Sequence, residues 1–265
     1  MLSRIAKSAV ARFGLSPHSR VPPAQIAALL ARLHPWETEH DLIRLGGDGD
    51  GGYLVPDDLV GLAACFSPGV DVTASFEEAM LARNVPCFLA DASVAAPPVI
   101  HPQIDFIPRF LGAVNDDTMI TLDRWVAEKA PDASAGDLLL QMDIEGYEWI
   151  VLLNASEELL SRFRIIVLEL HSLPHCLDPV VWQLVDAALD RLSRLFHVVH
   201  AHPNAQRPPL GTNGIEIPYL LEVTLLRKDR GTAQRPTSRF PHPLDRSNIP
   251  GQPDMVLPAC LRGRA

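Results

Sequence analysis

The sequence predicts an α/β fold with a doubly wound, mostly parallel sheet. From about residue 60, short apolar runs alternate with helical segments and are joined by short loops. This alternation is typical of a parallel sheet that is covered by helices on both faces. The runs at residues 138–142 and 164–170 are nearly all apolar, as expected for central strands that are buried on both sides.

Each element follows from its own pattern of apolar residues and turn signals. Seven apolar runs are predicted to be strands: residues 62–66, 86–90, 106–111, 137–142, 164–170, 196–200 and 219–226. Four segments between them are predicted to be helices: residues 75–83, 121–129, 148–163 (with a break at 154–156) and 179–194. The first of these helices begins at Ser75 and has Glu78 three residues later, the spacing of a capping box.

Two flanking segments differ in composition from this alternating region. Residues 1–40 are predicted to be a helical extension, because Pro22 and Pro23 precede a helical pattern and residues 1–13 are compatible with an amphipathic helix. Residues 41–228 then form the main domain. Residues 229–265 are rich in Pro and Arg and lack periodicity, which predicts an irregular or disordered tail.

Composition excludes several classes of function. A chain of 265 residues with 47% hydrophobic residues can build a full core. The net charge of -9 argues against binding to nucleic acid. No run of 18 apolar residues occurs, so no membrane span is predicted. Because the N-terminus lacks a secretory signal and the four cysteines lack zinc-site spacing, we expect a reducing, cytoplasmic location.

Polar residues and glycine follow the predicted strands at their carboxyl ends, where doubly wound sheets bind ligands. Gly69 follows the first strand, and its missing side chain allows the backbone to approach a ligand. Asp91 follows the second strand and is placed to accept hydrogen bonds from both ribose hydroxyls of an adenosine cofactor. Asp143 and Glu145 follow the fourth strand, and His171 follows the fifth.

The first turn excludes the common phosphate-binding motifs. Residues 67–73 lack the three glycines of a dinucleotide fingerprint, and no Walker A motif or GxSxG nucleophile elbow occurs. A nicotinamide oxidoreductase and a serine hydrolase are therefore disfavoured. A cofactor without phosphates, such as S-adenosylmethionine, is the better match.

The segment from Leu138 to Trp149 resembles the signature of FkbM-type methyltransferases, in which a hydrophobic strand leads into Asp-x-Glu-Gly-x-Glu. Further segments resemble the family in the same order, and together they cover about residues 42–226. They are Asp50-Gly-Gly-Tyr53 with Pro56, Cys65 to Asp71 followed by Ser75-Phe-Glu77, and Thr121-Leu-Asp123.

The resemblance implies a class I methyltransferase sheet of seven strands with the last strand antiparallel. It also implies S-adenosylmethionine as cofactor and O-methylation of a hydroxyl on a sugar, glycan or natural product. The candidate cofactor-binding residues are Asp50, Gly51, Gly52, Tyr53, Gly69, Glu77, Asp91 and Asp143. The candidate catalytic residues are Asp143, Glu145 and His171, with His171 as a general base because imidazole titrates near neutral pH.

Other interpretations stay open at this point. Asp143 could simply cap the helix that begins near Gly146, where a carboxylate is stabilised by free N–H groups. A divalent metal is a less favoured possibility, with Asp143, Glu169, His171 and His200 as its candidate ligands; such a site would suit a metal-dependent hydrolase or lyase. A third interpretation is a non-catalytic interaction subunit with the same fold.

Overall fold

The computed structural model describes residues 20–70 and 73–262. The amphipathic segment predicted at residues 1–13 and Asp71 of the first turn lie outside the described residues. The strands, numbered in chain order, are β1 (Trp36–Glu37), β2 (Leu42–Leu45), β3 (Tyr53–Pro56), β4 (Leu62–Pro68), β5 (Cys87–Ala90), β6 (Ile104–Ile107), β7 (Phe110–Gly112), β8 (Met119–Thr121), β9 (Asp137–Met142), β10 (Phe163–His171), β11 (Phe196–Pro203), β12 (Leu210–Thr212), β13 (Ile215–Ile217), β14 (Leu220–Arg227) and β15 (Arg235–Pro236).

The α-helices are α1 (Pro23–Leu30), α2 (Ser75–Leu81), α3 (Leu122–Lys129), α4 (Glu148–Asn154), α5 (Glu157–Leu160) and α6 (Pro179–Leu195). Short 3-10 helices lie at Ala31–Leu33, Ala133–Ala135, Leu173–Leu177 and Ala259–Leu261. No helix in the described part of the chain is both long enough and apolar enough to cross a membrane.

Seven strands form the central sheet in the order β11-β14-β10-β9-β4-β5-β6. Strands β6, β5, β4, β9 and β10 are parallel neighbours. Strand β14, the last of the seven in the chain, lies antiparallel between β10 and β11. This arrangement confirms the predicted fold class, a seven-stranded class I methyltransferase sheet with its last strand antiparallel.

Both faces of the sheet are covered, as the apolar central strands predict. Alternate residues of β9 and β10, such as Leu140 and Ile166, pack with Trp125 of α3 and with residues of α1, α4 and α6. The intervening residues, such as Leu139 and Ile165, pack with α2 and the β2–β3 hairpin. The indole of Trp125 meets the ring of Phe66 edge-on, with their centroids 5.0 Å apart. The second face is therefore covered by a hairpin as well as by a helix.

The predicted third strand, residues 106–111, divides into two elements. Strand β6 ends at Ile107, and β7 leaves the main sheet to pair in parallel with β8. Pro108 separates them, and proline cannot donate a hydrogen bond to a strand ladder. The predicted break at residues 154–156 is observed, since α4 ends at Asn154 and Ser156 caps α5 through the Leu159 N–H.

The predicted capping box at Ser75 is wrong. Ala74 occupies the N-cap position of α2 without a side-chain hydrogen bond. The Ser75 hydroxyl instead accepts the N–H of Gly47 at 3.0 Å and donates to the carbonyl of Gly51 at 3.3 Å. Ser75 thus anchors the glycine-rich loop that precedes β3.

The C-terminal segment is irregular, as predicted, but it packs against the rest of the chain. Strand β15 pairs with β1, and Leu257 and Leu261 are buried in the same apolar cluster as α1. Nδ1 of His34 lies 3.1 Å from the carbonyl oxygen of Leu261. The domain limits drawn from the sequence stay a prediction, but both flanking segments contribute to the core.

Candidate active site

A cavity of about 860 Å³ lies at the carboxyl ends of β4, β5, β9 and β10, the edge at which the sequence predicts a ligand site. Its lining includes an acidic group, an apolar group, and further polar side chains such as Gln206 and the basic Arg207. The acidic group, with one histidine, consists of Asp50, Asp91, Asp143, Glu145, Glu169 and His171. The apolar group includes Phe110, Leu111, Met119, Ile144 and Tyr147.

Gly69 forms the turn after β4 in a conformation that excludes side chains. Its φ is +82°, and an added Cβ would lie 1.5 Å from the carbonyl oxygen of Asp143. Its N–H donates to Ala90 at 3.0 Å. The backbones of β4 and β9 therefore approach closely at the cavity, while the predicted approach of this turn to a ligand stays a prediction.

Asp91 is buried at the end of β5 and joins two strand ends. Its Oδ2 accepts the N–H of Val70 at 3.0 Å. Its Oδ1 accepts the N–H and the hydroxyl of Ser93 at 2.7 and 2.6 Å. The carboxylate is thus held in a fixed orientation at the cavity wall.

The glycine-rich loop places Asp50 in the cavity lining. The guanidinium of Arg44 donates to the carbonyls of Gly47 and Gly49, both at 2.8 Å, and so holds the loop closed. Asp50 accepts hydrogen bonds from Gln206 at 3.4 Å and from Asn248 at 3.3 Å.

The other predicted cofactor residues of the N-terminal half do not line the cavity. Gly51 has a φ of +74°, and an added Cβ at Gly52 would lie 2.0 Å from the carbonyl oxygen of Gly47, so both shape the loop. Tyr53 packs edge-on against Phe76, and burial raises its pKa well above the usual value. Glu77 is buried beside Ser67, to which it is hydrogen-bonded, and burial raises its pKa.

Glu148 organises the turn between β9 and α4. Its side chain is fully buried, and Oε1 accepts the N–H groups of Ile144 and Gly146, both at 3.1 Å. Glu148 therefore fixes the turn that precedes α4. The N-cap of α4 is Tyr147 without a side-chain cap, so the interpretation of Asp143 as a helix cap is wrong. Oδ1 of Asp143 is buried and has no hydrogen-bond partner within residues 20–70 and 73–262.

The turn between β9 and α4 has a strained backbone, and it places two carboxylates beside His171. Glu145 has a φ of +56° and Gly146 a φ of +103°. A residue other than glycine in this left-handed region of backbone conformation costs about 1–3 kcal/mol of folding free energy. It is found only where the surrounding structure enforces that conformation. The result places Oε2 of Glu145 3.4 Å, and Oδ1 of Asp143 3.7 Å, from Nε2 of His171.

The contacts of His171 determine which ring nitrogen carries the proton in the neutral imidazole. Nδ1 faces two acceptors, Oε1 of Glu148 and the carbonyl oxygen of Glu169, both at 3.1 Å. Since neither atom can donate, Nδ1 carries the proton and Nε2 has the lone pair in the neutral ring. Burial alone would lower the pKa of His171, but the hydrogen bond to Glu148 and the nearby carboxylates raise it.

Asp143 and Glu169 form a coupled acidic pair. Burial raises the pKa of Asp143 to about 6, although His171 opposes the shift. Burial and the neighbouring charge of Asp143 raise the pKa of Glu169 to about 10. Nδ2 of Asn204 donates to Oε1 of Glu169 at 2.9 Å. At neutral pH, Glu169 is therefore protonated and shares its proton with Asp143.

Glu169→Gln is expected to make stability less dependent on pH. In the folded protein, Glu169 keeps its proton up to about pH 10. In the unfolded protein it has the usual pKa of 4.5 and loses its proton above that pH. The free energy of unfolding therefore falls as pH rises through this range. Because glutamine keeps both hydrogen bonds without a charge, the variant should be more stable than wild type by roughly 1–3 kcal/mol at pH 8, with a smaller difference at pH 5. Urea denaturation at both pH values measures this.

The control for this experiment is Glu216→Gln, because Glu216 is exposed. It should change stability equally little at pH 5 and pH 8. If Glu169→Gln lost as much stability between the two pH values as wild type does, Glu169 would not be the buried acid described here.

His200 is not part of this group. Its Nε2 lies 2.9 Å from Oδ1 of Asp245 in the C-terminal segment, and it does not line the cavity. The predicted set of Asp143, Glu169, His171 and His200 is therefore not assembled. Ligand atoms of Asp143, Glu145 and His171 do lie within 4.8 Å of one another, so any metal in the cavity would use Glu145 and neither Glu169 nor His200.

Glu148 is the candidate site residue that the sequence analysis missed. It belongs to the Asp-x-Glu-Gly-x-Glu motif, but it falls at the first position of a helix, where acidic residues are common for dipole reasons alone. Its local sequence signal is its position two residues after Gly146 in that motif. His171 lies on the neighbouring strand β10 and contacts Glu148 across 23 residues of chain, so no local sequence pattern could predict this contact.

Comparison with known proteins agrees with this geometry. Residues 109–207 match the family model of the methyltransferase FkbM domain. This segment is therefore similar to an FkbM methyltransferase domain. The match runs from β7 to just beyond β11, so the matched segment includes Asp143, Glu145 and His171. Comparison with curated proteins finds no match.

Proposed function

We propose that the protein is an S-adenosylmethionine-dependent methyltransferase that methylates a hydroxyl of a small molecule or glycan. The observation that carries this proposal is the acidic cavity at the carboxyl ends of the parallel strands, lined in part by the segment that matches the FkbM domain. The expected cytoplasmic location stays a prediction.

The cavity residues fit such a cofactor in two respects. Gly69 lets the carbonyl group of Asp143 lie directly against the turn at the cavity wall, where a Cβ would clash with it, and Oδ1 of Asp143 is a buried acceptor without a hydrogen-bond partner in the described ranges. The acidic lining suits a ligand with a sulfonium and an ammonium group. Asp91 would hold the ribose hydroxyls, while Asp50 and Asp143 would face the cationic methionine part.

When bound, the cofactor supplies a methyl group that its sulfonium already activates. The chain must then mainly orient the acceptor hydroxyl and take its proton. Nε2 of His171 is the acceptor for that proton, because Nδ1 is held by Glu148. The carboxylates of Glu145 and Asp143 beside Nε2 stabilise the resulting imidazolium.

Titration calorimetry with S-adenosylmethionine and S-adenosylhomocysteine tests cofactor binding. Wild type should bind both, and Asp91→Asn should weaken binding by about tenfold or more, the loss of roughly one charge-assisted hydrogen bond. Asp132→Asn is a matched control, because Asp132 makes the same pair of hydrogen bonds to Ser134 that Asp91 makes to Ser93 but is exposed. No binding by wild type at millimolar cofactor would disprove the proposal.

A further inference from the structure

A second cluster of histidines and carboxylates lies outside the cavity, where the C-terminal segment crosses β11. His200 and His202 are two residues apart on the strand and share one face. Their rings are stacked, with centroids 6.3 Å apart and planes 21° apart. Asp245 and Asp254 reach them from the C-terminal segment.

The Nε2 atoms of both histidines meet carboxylate oxygens of that segment. His200 Nε2 lies 2.9 Å from Oδ1 of Asp245, and His202 Nε2 lies 2.7 Å from Oδ1 of Asp254. One ligand atom each of His202, Asp245 and Asp254 lies within 4.8 Å of the others. One imidazole nitrogen and two carboxylate oxygens thus surround one small volume, and His200 lies beside it through its contact with Asp245.

The far side of His202 is organised as in metal sites. Its Nδ1 lies 3.1 Å from Oε2 of Glu222 on the neighbouring strand β14. A carboxylate on the other ring nitrogen is the usual way in which a metal-binding histidine is oriented. Glu222 is in turn held by Nδ2 of Asn248 at 2.6 Å.

An unused acceptor lies in the same group. Oδ1 of Asn248 is buried and has no hydrogen-bond partner in the described ranges, and Asn248 itself is 6% exposed. The side chains of Asp245, Glu222 and His202 are 3%, 7% and 3% exposed. Two carboxylates held with so little solvent need a balancing positive charge, which is either protonated His202 or a metal ion in place of its proton.

We propose that this cluster binds a divalent transition metal ion, with Zn²⁺ as the best match. Nitrogen and oxygen ligands suit Zn²⁺, and three protein ligands with a water in the fourth position are a known zinc coordination. The three protein ligands would be His202, Asp245 and Asp254, with Glu222 orienting His202.

The ion would fasten the C-terminal segment to the sheet. Asp245 and Asp254 bracket Asn248, and Asn248 also donates to Asp50 at the cavity at 3.3 Å. A metal that fixes these two aspartates therefore also fixes the contact that holds the glycine-rich loop. The role is structural, and it is independent of the proposed methyl transfer.

Metal content and zinc titration of the full chain test the site. After dialysis against a chelator, the protein should rebind one zinc per chain from ZnCl₂, and zinc should raise its melting temperature. Asp254→Asn should weaken zinc binding at least tenfold while the chain still folds, because the Asp254 side chain is partly exposed, at 19%. His200→Gln removes the partner of Asp245 and not a ligand, so it should weaken zinc binding less than Asp254→Asn does.

Glu145→Gln distinguishes this cluster from the one in the cavity. The Glu145 side chain is 88% exposed, so the variant should fold and keep its zinc. Absence of stoichiometric zinc binding by wild type would overturn the proposal. Zinc binding that is lost in Glu145→Gln but kept in Asp254→Asn would overturn it as well, since the ion would then lie in the cavity.

Discussion

Replacing His171 by asparagine is expected to lower the turnover of methyl transfer by about 10²–10⁴-fold, the usual contribution of a general base. Asparagine keeps a polar group beside Glu148 but cannot take a proton. Cofactor binding should be largely unchanged, because the predicted ribose contact at Asp91 is on another strand. The rate is measured as release of S-adenosylhomocysteine with an acceptor that wild type methylates.

His175→Asn is the matched control for this prediction. His175 is four residues further along the chain, is exposed and does not line the cavity, so its replacement should leave turnover intact. If His171→Asn kept wild-type turnover with the same acceptor, another group would have to take the proton.

Glu148→Gln tests whether Glu148 tunes the pKa of His171 or only supports the fold around it. The buried carboxylate raises the pKa of His171. Without its charge, that pKa should fall, and the rise of kcat/KM with pH should shift to lower pH. A purely structural role of Glu148 would lower the amount of folded protein without moving this profile.

The central sheet could be predicted because its signals are local. Residues 138–142 and 164–170 are apolar over their whole length, and two-sided burial leaves no alternative for such runs. Gly69 and Asp143 were identified as site residues because strand ends have a fixed place in this topology. The backbone contact between them, which explains the glycine, requires the three-dimensional structure.

The parts that the sequence did not predict depend on long-range contacts. Asp245 pairs with His200 across 45 residues, and Asp254 pairs with His202 across 52. The C-terminal segment has no periodic pattern, since its side chains reach the sheet from irregular backbone. Composition alone therefore predicted an irregular tail, and the structure shows that this segment packs against the rest of the chain.

Gly69→Ala is expected to be the most destabilising single substitution of a glycine at the cavity. Two costs add at this position. The left-handed backbone, with φ at +82°, costs a residue with a side chain about 1–2 kcal/mol. The new methyl carbon would also lie 1.5 Å from a backbone oxygen of Asp143, so the turn after β4 or the end of β9 must move.

Two control substitutions separate these costs. Gly214 has a φ of +76° with no atom near an added Cβ, so Gly214→Ala should lose only about 1 kcal/mol. Gly211 has neither a positive φ nor a close neighbour, so Gly211→Ala should be nearly neutral. Gly69→Ala should exceed both, with a loss of roughly 3–5 kcal/mol in urea denaturation.

The same substitution links the fold to the site. A displaced turn would move Val70, whose N–H holds Asp91, away from the end of β5. Cofactor affinity per folded molecule should therefore fall in Gly69→Ala and stay unchanged in Gly214→Ala. A loss of only about 1 kcal/mol in Gly69→Ala, equal to that of Gly214→Ala, would mean that β4 and β9 do not approach this closely in solution.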